Sequence, residues 1–193
     1  MSNICRTEIK MQASKEAIQD FVNRWENCVD GRYPNTENDK PHIADEFGAD
    51  AELFIDKVGS KWVSFYEGYD YGISEHDDTE GSSEVVFELE SASYPPSDMI
   101  LEIYRQLAEF DKDEDKEVRV FGSYWDEAYN PIGVFEVYYG QIIEEEHYDL
   151  DEEKWEEMVE EEDEDYDRNF WDEVVGPTFT LLQERLDKVI KEI

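Results

Sequence analysis

Three histidines, His42, His76 and His147, are the side chains best placed by chemistry to serve as a general base near neutral pH. A nucleophilic triad needs such a base beside a Ser, Thr or Cys, with a third group to orient it. Each histidine sits in a polar, loop-like or strand-end context, so all three read as incidental. Carboxylates are so abundant that pairs arise by chance and carry no weight as acid–base machinery. Asp111, Asp113 and Asp115 fill positions 1, 3 and 5 of a calcium-type loop, but that loop also needs Gly at 6 and Glu at 12, where Lys116 and Gly122 stand. Glu144 and His147 have the Glu-x-x-His spacing of di-iron bundles, which require two such motifs and further Glu ligands. Cys5 and Cys28 are too few for a disulfide framework and lack metal-knuckle spacing. The phosphate-cradling patterns G-x-x-x-x-G-K and G-x-G-x-x-G are absent from the sequence. The expectation is a protein that is not an enzyme, with no cofactor and no metal.

Charge gives the stronger signal. Asp and Glu number 53 against 17 Lys and Arg, a formal net charge of −36 over 193 residues. A nucleic-acid binder gains affinity by neutralising phosphates with Lys and Arg. This chain has neither from Trp62 to Tyr104, nor from Val120 to Glu153, so direct nucleic-acid binding is not expected. High net charge accompanies disorder only where aromatic and β-branched residues are scarce. Here 14% of residues are aromatic and 39% hydrophobic, enough for a core. Adaptation to molar salt is a competing source of acid, but ten Lys and many Tyr, Trp and Ile argue against it. The opening MSNICRTEIKMQASKE has no apolar signal core, and no apolar run approaches the roughly 18 residues of a membrane span. A cytoplasmic protein is expected, in the host cell if the gene belongs to a phage.

The elements that must carry these residues follow from periodicity. Cys5, Thr7, Ile9 and Met11 alternate with polar neighbours, which predicts a half-buried strand. Ser14 is the expected N-cap of a helix whose apolar stripe is Ile18, Phe21, Val22 and Trp25. Residues 30–41 read as a loop, 52–58 and 61–67 as strands in a hairpin about Gly59 and Ser60, and 68–83 as an exposed acidic loop. A strand at 84–91, a helix after Pro95 and Pro96 with Ile100, Ile103, Tyr104 and Leu107 inward, and strands at 117–124 and 131–143 complete the run. This order predicts an α+β fold of the ferredoxin-like split βαβ kind, a mostly antiparallel sheet with helices on one face. From Asp151 to Val175 a helical pattern threads Trp155, Met158, Val159, Tyr166, Phe170 and Trp171 through acids; Gly176 and Pro177 break it before a final helix bearing Phe179, Leu182, Leu186, Val189, Ile190 and Ile193. Two units are expected: residues 1–143 as the α+β domain, and 144–193 as an acidic helical extension packed on it.

Four stretches, SNICRTEIKM, GSKWVSFYE (59–67), ESASYPPSDMILEI (90–103) and YWDEAYNPIGVFEVYYG (124–140), resemble the YubB-type ferredoxin-like domain carried by plasmids and phages. That family shows an Asn-x-Cys start, a Gly-Thr-Lys-Trp element, Trp-Ser-Pro-Pro before a helix, and a Glu-x-Gly…Gly strand pair. Ser60 stands for the Thr, and Ser93-Tyr94 for the Trp-Ser. The resemblance implies the fold and a mobile-element origin; it implies no catalytic residues.

Residues 144–173 hold 18 acids against Lys154 and Arg168. As a helix they would span about 45 Å, or about 2.5 Å per acid, against about 1.7 Å per charge along B-DNA. The expected function is a DNA mimic that occupies the DNA-binding groove of a basic host protein, an anti-defence inhibitor in a phage setting. The expected binding surface is Glu152, Glu153, Glu156, Glu157, Glu160, Glu161, Glu162, Asp163, Glu164, Asp165 and Asp167, with a secondary acidic loop of Glu75, Asp77, Asp78 and Glu80. The alternative is a protein–protein binding module whose acids are only solvated surface.

Overall fold

The computed structural model describes residues 3–28, 31–33, 39, 41–46, 60–65, 76–77, 82–112, 118–126, 129–148 and 169–193. The strand expected at 52–58 and the acidic pattern from 151 to 168 lie outside them. The fold is α+β, built on one antiparallel sheet. Its strands are β1 (Ile4–Ser14), β2 (Gly31–Tyr33), β3 (Val63–Phe65), β4 (His76–Asp77), β5 (Ser82–Ala92), β6 (Arg119–Asp126), β7 (Ile132–Tyr138) and β8 (Gln141–His147). Its helices are α1 (Lys15–Glu26), the single turn α2 (Ile43–Glu46), α3 (Ser97–Phe110) and α4 (Gly176–Glu192), the last preceded by a π-helical turn at Trp171–Val175. The spatial order is β2-β3-β5-β1-β6-β7-β8, with β4 pairing onto β5.

The long strands lie where alternation is strictest. In β1, Cys5, Thr7, Ile9, Met11 and Ala13 are buried under α1 and α3, while Arg6, Glu8, Lys10 and Gln12 point to the opposite face. The stripe Ile18, Phe21, Val22 and Trp25 closes the same core from α1, and Met99, Ile100, Ile103 and Leu107 close it from α3. Tyr104 is only partly buried, and Met99 takes a place in the stripe that the spacing assigned to others. β7 is covered on both faces, because the second core, of Ile132, Val134, Phe170, Val175, Leu182 and Leu186, lies across the sheet from the first. Helices therefore cover both faces, and α4 crosses β7 and β8.

Four expectations change. Gly31–Tyr33, expected as loop, pairs with β3, and Tyr33 is buried against His42, whose ring in turn meets Phe65. β3 has β2 on one side and β5 on the other, so it offers no free edge to a hairpin partner at 52–58. His76 and Asp77, from the expected acidic loop, pair with Glu84 and Ser83. The segment 131–143 is a hairpin, because Tyr139 (φ 48°) and Gly140 (φ 76°) both enter the left-handed region, as a tight two-residue turn requires. β8 then runs through the division expected at residue 143.

Gly176 and Pro177 do not break the last helix. Pro177 has no N–H for the carbonyl of Glu173, and its ring crowds that carbonyl. The helix widens instead: the Gly176 N–H reaches the Trp171 carbonyl, five residues back.

Asp111 is buried, and its carboxylate accepts the Ser14 N–H at 2.8 Å and the Ser14 hydroxyl at 2.5 Å. The same hydroxyl caps α1 by accepting the Ala17 N–H at 3.0 Å. One carboxylate thus ties the end of α3 to the start of α1. Asp111→Ala strands two buried donors and is expected to cost about 3 kcal/mol in urea unfolding, with Asp111→Asn costing less. Equal stability of the alanine variant would contradict this role.

Candidate functional site

Among the described residues α4 covers only the β7–β8 side of its face, which leaves a groove of about 540 Å³ between it and β1, β5 and β6. Strand register fixes what lies there. One row across the sheet reads Glu88, Glu8, Ser123, Val134 and Glu145; the next reads Val86, Lys10, Phe121, Glu136 and Ile143. The small Ser123 leaves room between the flanking aromatics of β6. Trp125, Trp171 and Phe179 meet edge-on or tilted, with centroids 5.3, 6.1 and 6.0 Å apart, and all three remain half-buried. The π-helical turn contributes Trp171, and such turns recur at functional positions.

The electrostatics of the groove are acidic. Lys10 pairs with Glu8 at 3.1 Å. Burial, and then the charge of Glu8 directly across the strands, pushes the Glu88 carboxyl above its ordinary range. Arg119 grips Glu136 through two bonds of 2.9 and 3.0 Å while lying 4.8 Å from the Phe121 ring.

On the other face a polar cluster closes the end of β6–β8. Tyr124 lies across Gly133 and donates to Glu146, which also accepts from Tyr148 at 2.7 Å. Burial and that bond raise Tyr124 well above the usual phenol range, and the bond to Glu146 takes Tyr148 to about 12. Burial drives Cys5 up to about 12, leaving an inert thiol. Glu144 is raised by burial and by Glu146. His42 is buried between Tyr33 and Phe65, its Nδ1 accepting the Ala44 N–H at 3.0 Å, a structural role. Among the described residues no three His, Cys, Asp or Glu gather as a metal group, and no helix is long and apolar enough to cross a membrane.

The expected acidic surface, Glu152 to Asp167, lies outside the described residues, as do Glu75, Asp78 and Glu80; Asp77 is in β4. The residues flanking that surface are described. His147 ends β8 opposite Ile132, and Phe170 is buried with Ile132 and Val134 and packs on Tyr129 at 5.7 Å. The two flanks of the acid-rich stretch therefore meet at one corner of the sheet. The aromatic groove escaped the sequence reading, because its members join only through register.

The four resemblance stretches also converge. Asn3 donates to Asp126 at 3.1 Å, the Asn130 N–H reaches the same carboxylate at 2.6 Å, and the Ser93 N–H reaches the Asn3 carbonyl at 2.9 Å. The Ser60 hydroxyl accepts the Ala92 N–H at 3.0 Å and donates to the Trp62 carbonyl at 2.9 Å. These residues lock one end of the sheet.

Fold and site together define an acidic α+β protein with a helix-flanked aromatic groove. No protein-family model, curated protein or solved structure matches the chain.

Glu88 and Glu144, with raised carboxyls, make the folded state bind more protons than the unfolded state as pH falls toward their range, so they add stability on acidification and lose it on return to neutrality. The melting temperature is expected to rise as pH falls from neutrality toward the ordinary glutamate range, and to rise with NaCl from about 10 to 500 mM as screening relieves self-repulsion. Scanning calorimetry checks both; a fall in either direction contradicts the account.

Proposed function

We propose that this chain is a non-enzymatic DNA mimic that occupies the DNA-binding groove of a basic host protein. The observation that carries the reading is the concentration of acid in residues 144–173, 18 acids against two bases, which begins with Glu144, Glu145 and Glu146 in β8 and offers the closely spaced negative charge that a DNA-binding groove recognises. A groove that focuses positive potential would capture such a surface quickly and in a salt-dependent way. Anchoring of both flanks at one corner supports a presented surface over a free tail.

The order β3-β5-β1-β6, with α1 after β1 and α3 after β5, supports a ferredoxin-like split βαβ core, to which β7, β8 and α4 are additions. The YubB-type resemblance rests on the motif residues and implies a phage or plasmid origin; a host cytoplasmic setting follows if the gene is a phage's, and the anti-defence role joins that origin to the acidic surface. The aromatic groove favours one alternative, a binding module for an unrelated protein. Recovery of host proteins on the tagged chain, eluted by a salt gradient, separates the two. A basic nucleic-acid enzyme leaving last supports mimicry, and a partner held regardless of salt overturns it.

A further inference from the structure

We propose that the groove between α4 and the open half of the sheet receives an arginine side chain from a basic polypeptide. This rests on the reading of the partner as a basic protein, and names what that partner inserts. Trp125, Trp171 and Phe179 present partly accessible aromatic surface, and Glu88, Glu184 and Asp187 stand at the rim. Among the described residues none of those three acids has an ion pair. Lys10 answers only Glu8. Glu8 and Glu88 oppose one another directly across β1 and β5, a like-charge arrangement that the Lys10–Glu8 pair relieves only in part.

The occupant follows from this chemistry. An anion is repelled, and an apolar ligand leaves the carboxylates unanswered. A hydrated metal ion makes no use of the aromatic surface. A planar guanidinium uses both, stacking on a ring while donating paired hydrogen bonds to a carboxylate. The same sheet face already holds that arrangement internally, with Arg119 over Phe121 and forked onto Glu136. Lysine, a hydrated point charge, gains less from stacking.

The test uses the full chain and acetyl-Gly-Arg-Gly-amide at about 20 mM salt, where surface charges are weakly screened. The indole N–H resonances of Trp125 and Trp171 should shift saturably, while that of Trp25, buried in the other core, should not. The lysine tripeptide should bind about fivefold more weakly, and the Glu88→Gln/Glu184→Gln variant should lose about fivefold or more. Neutralising residues 160–165 should leave tripeptide binding within about twofold, because the proposal places the guanidinium on the groove's own acids, Glu88, Glu184 and Asp187. Non-saturating shifts, equal binding of lysine, or an unaffected groove variant would overturn the proposal. Failure of tripeptide binding with DNA displacement intact removes the groove alone; the reverse removes mimicry alone.

Discussion

Gly122→Ala is expected to destabilise the protein by about 3 kcal/mol or more, near the limit for adding one methyl group. Gly122 pairs with Ile9 at the middle of the sheet. A Cβ built there would overlap the Glu8 carbonyl oxygen and lie 3.0 Å from the Phe135 ring. The obstacle is backbone of β1, the strand held by β5 on one side and β6 on the other, so no side-chain rotation relieves it. Gly140→Ala is the informative control: nothing lies within 4 Å of its Cβ, and only its φ of +76° resists the change. That variant should cost about 1 kcal/mol. Urea unfolding followed by tryptophan emission compares the pair; if Gly122→Ala lay within about 1 kcal/mol of the native chain, the β1–β6 register would be wrong.

Converting Glu160, Glu161, Glu162, Asp163, Glu164 and Asp165 to their amides is expected to weaken partner binding about 10²- to 10³-fold at low salt, and to flatten its salt dependence. The estimate follows from the loss of several phosphate-equivalent contacts, each of which contributes nearly one unit to the slope of log affinity against log salt. The fold should survive, because the two described cores are built from apolar side chains and the hydrogen bonds at Ser14, Asp111 and Asp126 join described residues to one another. Binding through aromatic docking alone would be almost unchanged by the six amides, which is how the alternative function would declare itself.

Much of the fold was legible because β1, α1, α3 and β6 obey their periods closely, and Ser14 supplies a recognisable cap. What was missed depends on tertiary partners. Tyr33 becomes part of a strand because it pairs with Val63 and packs on His42, contacts no local pattern announces. The run PIGVFEVYYGQII reads as one apolar strand because β7 is buried on both sides; the sole cue to its turn was Tyr139-Gly140. The π-helical turn arises from an effect of Pro177 on the carbonyl of Glu173, read from sequence as a break. The groove draws on Trp125 from β6 with Trp171 and Phe179 from the C-terminal helix. A cue existed, since Phe121 and Trp125 occupy the β6 face that in β1 carries charged and polar residues. The acid-rich stretch was legible by count alone, and its two flanks are what the structure adds.

The most direct measurement of the central claim is displacement of fluorescent duplex DNA from the basic host proteins that the tagged chain recovers, followed by anisotropy across a salt series. Mimicry predicts stoichiometric displacement at low salt, with log affinity falling linearly against log salt and the six-amide variant failing to compete. DNA that stays bound at low salt, or displacement indifferent to salt, would contradict it.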